Sequence, residues 1–179
     1  MNPPQLRLAT IDEEAAIDAL MKASTRDLFP NFYEARKTES GVHHIAVADR
    51  MLIEDGTYFV AEAGGELVAC GGWSRRDKLY TGSRAANGDV RLLDPATEPA
   101  RVRAMFIRSD WTRRGLGGRI LEACEAAAKA DGFRTLTLLS TLPGLPLYEN
   151  YGSRVLERTD VAMPDGVTIG GATMEKPIA

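Results

Sequence analysis

The stretch that decides the fold is Asp110–Gly132, "DWTRRGLGGRILEACEAAAKADG". Two adjacent arginines and three nearby glycines run directly into an alanine-rich pattern with the periodicity of an amphipathic helix. The terminal Asp-Gly pair ends that pattern in a common way. One stripe of the helix is apolar and carries Leu116, Ile120, Leu121, Cys124 and Ala128. We therefore predict a helix that packs this stripe against a core and begins at a glycine-bearing turn.

Strand patterns flank this helix on both sides. "ARVRAMFIR" (100–108) precedes the glycines, and "FRTLTLLS" (133–140) follows the helix. Further upstream, "GTYFVAEAGGELVACGGW" (56–73) contains two β-rich runs around Gly64-Gly65, a pair of residues that tolerates the positive φ of a hairpin turn. The central part of the chain is therefore predicted to be a hairpin, a strand, a helix and another strand.

The two ends of the chain supply the remaining elements. Thr10 is a plausible N-cap for a helix over "IDEEAAIDALMKA" (11–23). We predict a loop with a short helix over 24–40 and a second helix over 41–55. A short helix is predicted over 145–152, and two antiparallel strands around a Pro-Asp-Gly turn are predicted over 154–177. This order predicts an α/β (α+β) fold with a mixed sheet of six to seven strands and helices on both faces.

Length and composition limit the number of domains and the kinds of partner that the chain can have. A chain of 179 residues is the size of one domain, which we expect to span 1–179, with a polar excursion at about 75–99. The net charge of −3 argues against a nucleic-acid partner. Six arginines nevertheless fall within nineteen residues, which suggests a small polyanionic ligand: Arg101, Arg103, Arg108, Arg113, Arg114 and Arg119.

The compartment is predicted from the N-terminus and the cysteines. "MNPPQLRLATIDEE" lacks the basic and apolar regions of a signal peptide, and no apolar run approaches the length of a membrane helix. Cys70 and Cys124 lie inside apolar patterns, as reduced core cysteines do. We expect a cytoplasmic protein with no membrane partner.

The glycine-bearing turn has the features of an anion site. The first-turn N–H groups of a helix have no intrahelical partner and carry partial positive charge. Gly115, Gly117 and Gly118 lack the Cβ atoms that would keep a phosphate away from those groups, and Arg113 and Arg114 add charged donors. Together these features predict a diphosphate ligand.

Two common diphosphate motifs fit less well. A P-loop requires a Gly-Lys pair, which the chain does not contain. The dinucleotide fingerprint G-x-G-x-x-G would place its third glycine at Ile120, and the next strand ends without a ribose-binding acid. A dinucleotide-binding module remains an alternative, as does a glycine-rich turn with solvated arginines.

The segment "MFIRSDWTRRGLGGRIL" (105–121) resembles the acyl-CoA signature of the GNAT superfamily of N-acetyltransferases, a strand followed by [QR]-x-x-G-x-[GA]. A second segment, "STLPGLPLYENYGS" (140–153), is similar to the S-x-N-x-x-x-x-x-Y-E-x-x-G-F segment of the same family. Three positions depart from these patterns: Thr112 in the [QR] position, Thr141 in place of the asparagine, and Ser153 in place of the aromatic residue.

The resemblance implies the GNAT fold with splayed central strands, and acetyl-CoA as cosubstrate without a metal. It implies direct transfer of the acetyl group, in a ternary complex, to a primary amine of a small-molecule or peptide acceptor. Tyr148 occupies the position of the general acid, and a strand N–H near Phe106 or Ile107 would stabilise the oxyanion. The coenzyme-binding positions are Met105, Phe106, Ile107, Arg113, Arg114, Gly115, Leu116, Gly117, Gly118 and Thr141. A homodimer is possible, because dimers are common in the family.

Several questions stay open at this point. A catalytically silent acyl-CoA sensor would share the same motifs. No spacing chooses a general base among Glu62, Glu66 and Glu98, and a neutral amine would need none. His43 and His44 diverge by about 100° on a helix, which disfavours a shared metal. Three aromatic residues could line the acceptor pocket or pack in the core: Phe32, Tyr33 and Trp73.

Overall fold

The computed structural model describes residues 2–80 and 90–179. In chain order its elements are β1 (Gln5–Leu8), α1 (Glu14–Leu28), α2 (Ala35–His44), α3 (Arg50–Glu54), β2 (Tyr58–Ala63), β3 (Glu66–Ser74), β4 (Ala100–Ile107), α4 (Leu116–Ala130), β5 (Thr135–Thr141), α5 (Leu145–Tyr151), β6 (Arg154–Ala162) and β7 (Thr168–Pro177). None of the helices within these described ranges is both long and apolar enough to cross a membrane.

The strands form one mixed sheet in the order β1-β2-β3-β4-β5-β7-β6. Strands β4 and β5 pair in parallel, and the other neighbouring strands pair antiparallel. The hairpin between β2 and β3 turns at Gly64 and Gly65, whose φ angles of 58° and 83° are those that glycine adopts without strain. The mixed sheet, the hairpin and the helix at Leu116 are therefore confirmed.

Helices cover both faces of the sheet, as predicted. Val60 and Cys70 point to one face and pack with Ile17, Met21 and Leu52 of α1 and α3. The alternate residues of the same two strands point to the other face and pack with the apolar stripe of α4 and with α5. Cys70 and Cys124 are both buried free cysteines, on opposite faces.

The second helix was predicted wrongly. Instead of one helix over 41–55, α2 ends at His44 and α3 begins at Arg50. Asp49 caps α3 by accepting the Met51 N–H at 3.1 Å, and Asp18 on α1 accepts the Ala48 N–H at 3.1 Å. These side chains satisfy backbone groups that a continuous helix would otherwise pair. The helix predicted over 11–23 also continues to Leu28; Ser24 and Thr25 in this extension are buried, and the Ser24 hydroxyl donates to the Ile107 carbonyl of β4.

Backbone hydrogen bonds join the beginning of the polar excursion to its end. The Asp77 N–H donates to the Arg91 carbonyl at 2.9 Å, and the Leu93 N–H donates to the Arg75 carbonyl at 2.8 Å. Arg91 adds ion pairs with Asp77 and Glu98. The middle of the excursion, 81–89, lies outside the described residues.

Two adjacent glycines on β7 allow a matched test of packing beside the end of β5. A Cβ on Gly171 would lie 2.4 Å from the Ser140 carbonyl oxygen, whereas a Cβ on Gly170 would meet only the Asp160 carboxylate at 3.3 Å. Backbone cannot yield as a flexible side chain can. We expect Gly171→Ala to lower the free energy of unfolding by about 1–3 kcal/mol, and Gly170→Ala by clearly less. Urea denaturation of both variants measures this, and equal losses would contradict it.

Candidate active site

Strand β4 separates from β5 soon after the two begin to pair. Their register joins Ala100 to Leu136 and Arg101 to Thr137, and no further pairing is formed between the described residues of the two strands. The rest of β4 therefore runs beside an opening in the sheet. This confirms the splayed central strands.

A β-bulge bends β4 at this opening. Arg103 pairs with Gly72 and Phe106 pairs with Cys70, so two residues of β4, Ala104 and Met105, oppose one residue of β3. Ala104 has a φ of 50°, a left-handed conformation that is costly for a residue with a Cβ.

Buried contacts hold the bulge in place. The Tyr58 hydroxyl, on β2, donates to the Ala104 carbonyl at 2.6 Å. On the opposite face, Gly71 leaves room for Met105, whose sulfur would lie 2.6 Å from a Cβ at that position. The shape of β4 is thus set from the neighbouring strands and does not depend on β5.

The end of β4 directs backbone groups into the opening. The Arg108 N–H donates to the Val68 carbonyl at 2.9 Å, so Ile107 is a non-hydrogen-bonded position opposite β3. Its backbone groups consequently point away from β3, toward the opening. The Ile107 carbonyl accepts the Ser24 hydroxyl at 2.7 Å, which leaves its N–H as the donor facing the opening.

The glycine-bearing turn follows β4. Arg113 and Gly115 have φ angles of 60° and 81°, and Gly115 is the N-cap of α4. The Arg119 N–H donates to the Gly115 carbonyl at 3.1 Å, which starts the helical hydrogen bonds. The amides of Leu116, Gly117 and Gly118 thus belong to the first turn, where N–H groups lack intrahelical partners.

The three glycines have different roles. A Cβ on Gly118 or Gly115 would meet no atom within 4 Å, so those positions are open to a ligand. A Cβ on Gly117 would lie 2.7 Å from the side chain of Leu147 on α5 and 3.1 Å from Ile107. Gly117 is therefore required for packing between α4, α5 and β4. The prediction that it keeps a phosphate path clear by lacking a Cβ was incomplete.

The predicted arginine cluster is dispersed in the structure. Arg101 pairs with Asp77, and Arg103 pairs with Asp49. Arg108 pairs with both Glu66 and Asp110. Arg101 and Arg103 lie two residues apart on β4 and share one face of the strand, yet each pairs with a different acid, and the clustering in sequence could not show this. Arg114 stacks its guanidinium on the Trp111 ring at 4.5 Å. Arg113 is the arginine of this group that lines the opening.

The opening is part of a cleft of about 1060 Å³ that reaches both faces of the sheet. The α4–α5 side is lined by the glycine-bearing turn, Leu147, Tyr148 and Asn150. The α1–α2 side is lined by Leu28, Phe29, Phe32, His44 and Ile45. Ten of the eleven predicted site residues line this cleft: Met105, Phe106, Ile107, Arg113, Gly115, Leu116, Gly117, Gly118, Thr141 and Tyr148. Arg114 does not.

Tyr148 lies in the middle of α5 and is 8% exposed. Gly144 in the turn before α5 makes room for its ring, since a Cβ there would lie 3.1 Å from the ring edge. Burial, with a small contribution from the nearby Cys124, raises the pKa of Tyr148 above its ordinary value near 10. The phenol therefore keeps its proton at neutral pH.

The glutamates considered as general bases lie elsewhere. Glu62 pairs with Arg7 at 3.0 Å, and Glu66 pairs with Arg108 at 3.0 Å. Glu98 accepts hydrogen bonds from Arg91 and from the Asp94 N–H, which lower its pKa to about 2. None of the three lines the cleft.

The α1–α2 side of the cleft was predicted from the sequence only in part. Phe32 lines it, whereas Tyr33 is buried and its hydroxyl donates to the Gly170 carbonyl at 2.7 Å. Trp73 packs edge-on against Phe133 in the core. His44 reaches the cleft from the end of α2, and no local pattern marked it. Among residues 2–80 and 90–179, no cluster of potential ligands is arranged to hold a metal ion.

Comparisons with known proteins agree with this geometry. The sequence model of the acetyltransferase (GNAT) family matches residues 18–152, which is more than half of the chain. Among curated proteins, no sequence matches significantly.

Several solved structures share the fold. A GCN5-related N-acetyltransferase from Rhodopseudomonas palustris has a TM-score of 0.74 at 20% identity, covering 99% of this chain and 97% of that one. PaiA N-acetyltransferase from Thermoplasma acidophilum, in complex with coenzyme A, has a TM-score of 0.68 at 14% identity over 99% of both chains. A phosphinothricin acetyltransferase from Sinorhizobium meliloti, in complex with AcCoA, has a TM-score of 0.63 at 14% identity, covering 99% and 90%.

The open position at Gly118 yields a test of the phosphate-binding role. We expect Gly118→Val to weaken coenzyme A binding by at least about tenfold, because its branched side chain would occupy the space before the first-turn amides. The melting temperature should hold, since a Cβ there meets no protein atom within 4 Å. Titration calorimetry with coenzyme A measures the affinity. Gly117→Ala is the contrasting variant and should lower the melting temperature. Unchanged affinity in Gly118→Val would contradict the assignment.

Proposed function

This chain belongs to the GNAT family of acetyltransferases, and on that premise we propose that it transfers an acetyl group from acetyl-CoA to a primary amine by direct transfer in a ternary complex. One observation carries the proposal. A single cleft joins the two faces of the sheet at the opening beside β4, so two substrates can approach the same backbone N–H from opposite sides.

The α4–α5 side suits the coenzyme. The unpaired edge of β4 offers backbone groups to an extended amide-containing arm, and the first-turn amides of α4 with Arg113 suit a pyrophosphate. Two solved relatives by fold, PaiA and the phosphinothricin acetyltransferase, carry coenzyme A and AcCoA in their structures. Arg114 would contribute to this site only by releasing its stack on Trp111.

The α1–α2 side suits the acceptor. Its described lining is largely apolar and aromatic, with Leu28, Phe29, Phe32, Ile45, Leu79 and Tyr80. No carboxylate belongs to the described lining residues of the cleft. A polyamine or aminoglycoside carries several positive charges, which apolar walls do not compensate. We therefore propose a small-molecule or peptide acceptor that carries its amine on an apolar body.

The residues at the opening divide the chemical work. The Ile107 N–H would donate to the carbonyl oxygen of the acetyl group as negative charge develops on it. Tyr148, on the coenzyme side, would donate its proton to the sulfur as the thiolate departs. The raised pKa of Tyr148 keeps that proton in place up to the moment of transfer.

An assay of free thiol separates this enzyme from a protein that only binds acyl-CoA. Wild-type protein is incubated with acetyl-CoA and each of three acceptors: 2-phenylethylamine, aniline and spermidine. We expect thiol release with the two aromatic amines and much less with spermidine. Tight coenzyme binding without thiol release from any amine would contradict the transferase proposal, and a preference for spermidine would contradict the acceptor class.

Replacement of Tyr148 tests the general acid. We expect Tyr148→Phe to lower kcat by about 10²–10³ while leaving the affinity for acetyl-CoA nearly unchanged, because only the proton donor is lost. Steady-state kinetics and calorimetry measure the two quantities. The pH profile adds a second check: since burial places the pKa of Tyr148 above 10, wild-type kcat should not fall between pH 8 and pH 10 through loss of this proton. Unchanged kcat in the variant removes Tyr148 from the mechanism.

A further inference from the structure

His44 places an imidazole ring on the acceptor side of the cleft. It is the last residue of α2 and lines the cleft with Phe32 and Ile45. Its side chain is 29% exposed, so it is accessible without being fully solvated. Among the described lining residues it carries the one imidazole, and a neutral imidazole has a ring nitrogen whose lone pair can accept a proton.

Asp165, in the turn between β6 and β7, faces the His44 ring. The Asp165 Oδ1 accepts the Val167 N–H at 3.0 Å, which fixes the carboxylate. Its Oδ2 lies 3.5 Å from the His44 Nε2. The Val167 N–H above all lowers the pKa of Asp165, so the carboxylate stays charged at neutral pH.

This arrangement has a direct chemical use. A carboxylate beside Nε2 favours the tautomer that carries a hydrogen there, which leaves the lone pair on Nδ1. The same carboxylate stabilises the imidazolium that forms when Nδ1 takes up a proton. His44 and Asp165 come from elements far apart in sequence, and the fold brings them together at the cleft.

The proposed reaction requires such a group. An alkyl amine with a pKa near 10 arrives largely as an ammonium ion at neutral pH and has no lone pair with which to attack. Tyr148 lies on the other side of the opening and is protonated before the reaction, so it cannot accept the proton of the ammonium ion. Glu62, Glu66 and Glu98 are engaged away from the cleft.

We propose that His44, positioned by Asp165, is the general base that deprotonates the acceptor amine; this inference rests on the proposed function. His44 takes one proton from the ammonium, and the nitrogen lone pair then forms the bond to the acetyl carbon. The carbon–sulfur bond breaks, and the sulfur leaves with its electron pair and takes the Tyr148 proton. The nitrogen, now positively charged, loses its second proton, which returns to Tyr148. The products are the amide, the free thiol and protonated His44, which releases its proton to solvent.

The chain contains a matched control in His43. This residue precedes His44 on the same helix, and its ring is more exposed, with 61% of the side chain accessible. Its Nε2 lies 2.9 Å from Glu39, one turn back on α2, and it does not line the cleft. The titratable groups facing His44 in the described part of the chain are Asp165 from the β6–β7 turn and His43 itself, with ring centres 6.3 Å apart; Tyr80 lines the same cleft.

The test compares His44→Gln with His43→Gln on two amines of different basicity. With 2-phenylethylamine, which is protonated at neutral pH, we expect His44→Gln to lower kcat/KM by about 10²-fold and His43→Gln by less than about twofold. With aniline, which is already unprotonated, the loss in His44→Gln should be less than about threefold, because no proton has to be removed before attack. The affinity of both variants for coenzyme A, measured by calorimetry, should equal that of the wild type.

Asp165→Asn gives a second readout. Because the carboxylate beside the His44 Nε2 is lost, we expect kcat/KM for 2-phenylethylamine to fall by about tenfold and kcat/KM for aniline by less than about threefold.

Three outcomes decide the matter. Equal losses on both amines, or equal losses in the His43 and His44 variants, would show a structural role and overturn the inference while the transferase proposal stands. A large loss confined to the alkyl amine supports it. Absence of thiol release by the wild type with every amine would overturn the proposed function, and this inference with it.

Discussion

The hydrogen bond from the Tyr58 hydroxyl to the Ala104 carbonyl holds β4 in the shape on which the site depends. An ordinary strand would have continued to pair with β5 and would have closed the sheet. The bulge costs energy, because Ala104 adopts a left-handed conformation and two residues of β4 oppose one residue of β3. The Tyr58 hydrogen bond from β2 and the packing of Met105 beside Gly71 of β3 fix its shape.

The opening concentrates backbone donors that the fold itself does not pair. On one flank is the free edge of β4, and on the other is the first turn of α4, whose amides start no helical hydrogen bonds. Elsewhere in a folded protein such groups find partners within the chain. Their convergence on one cleft is the arrangement that a ligand rich in carbonyl and phosphoryl oxygens would require, and it depends on both the glycine-bearing turn and the separation of β4 from β5.

Local signals predicted much of this site. Apolar periodicity located α4, the Gly-Gly pair located the hairpin, and ten residues of the two short motifs line one cleft. What failed depended on contacts distant in sequence. Asp18 on α1 helps to separate α2 from α3, and Leu147 on α5 explains Gly117. The arginines of β4 share one face of the strand but pair with acids from different parts of the chain. The His44 ring lies beside Asp165, which is more than one hundred residues away in sequence, so no local periodicity could predict that contact.

The passage from one face of the sheet to the other has a consequence for how the cleft can vary. Its described lining comes from α4 and α5 on one face and from α1 and α2 on the other, and these two walls belong to separate segments of the chain. A substitution in α1 or α2 therefore changes one wall and leaves the residues of the glycine-bearing turn in place. The shape of each wall can be altered without rebuilding the other.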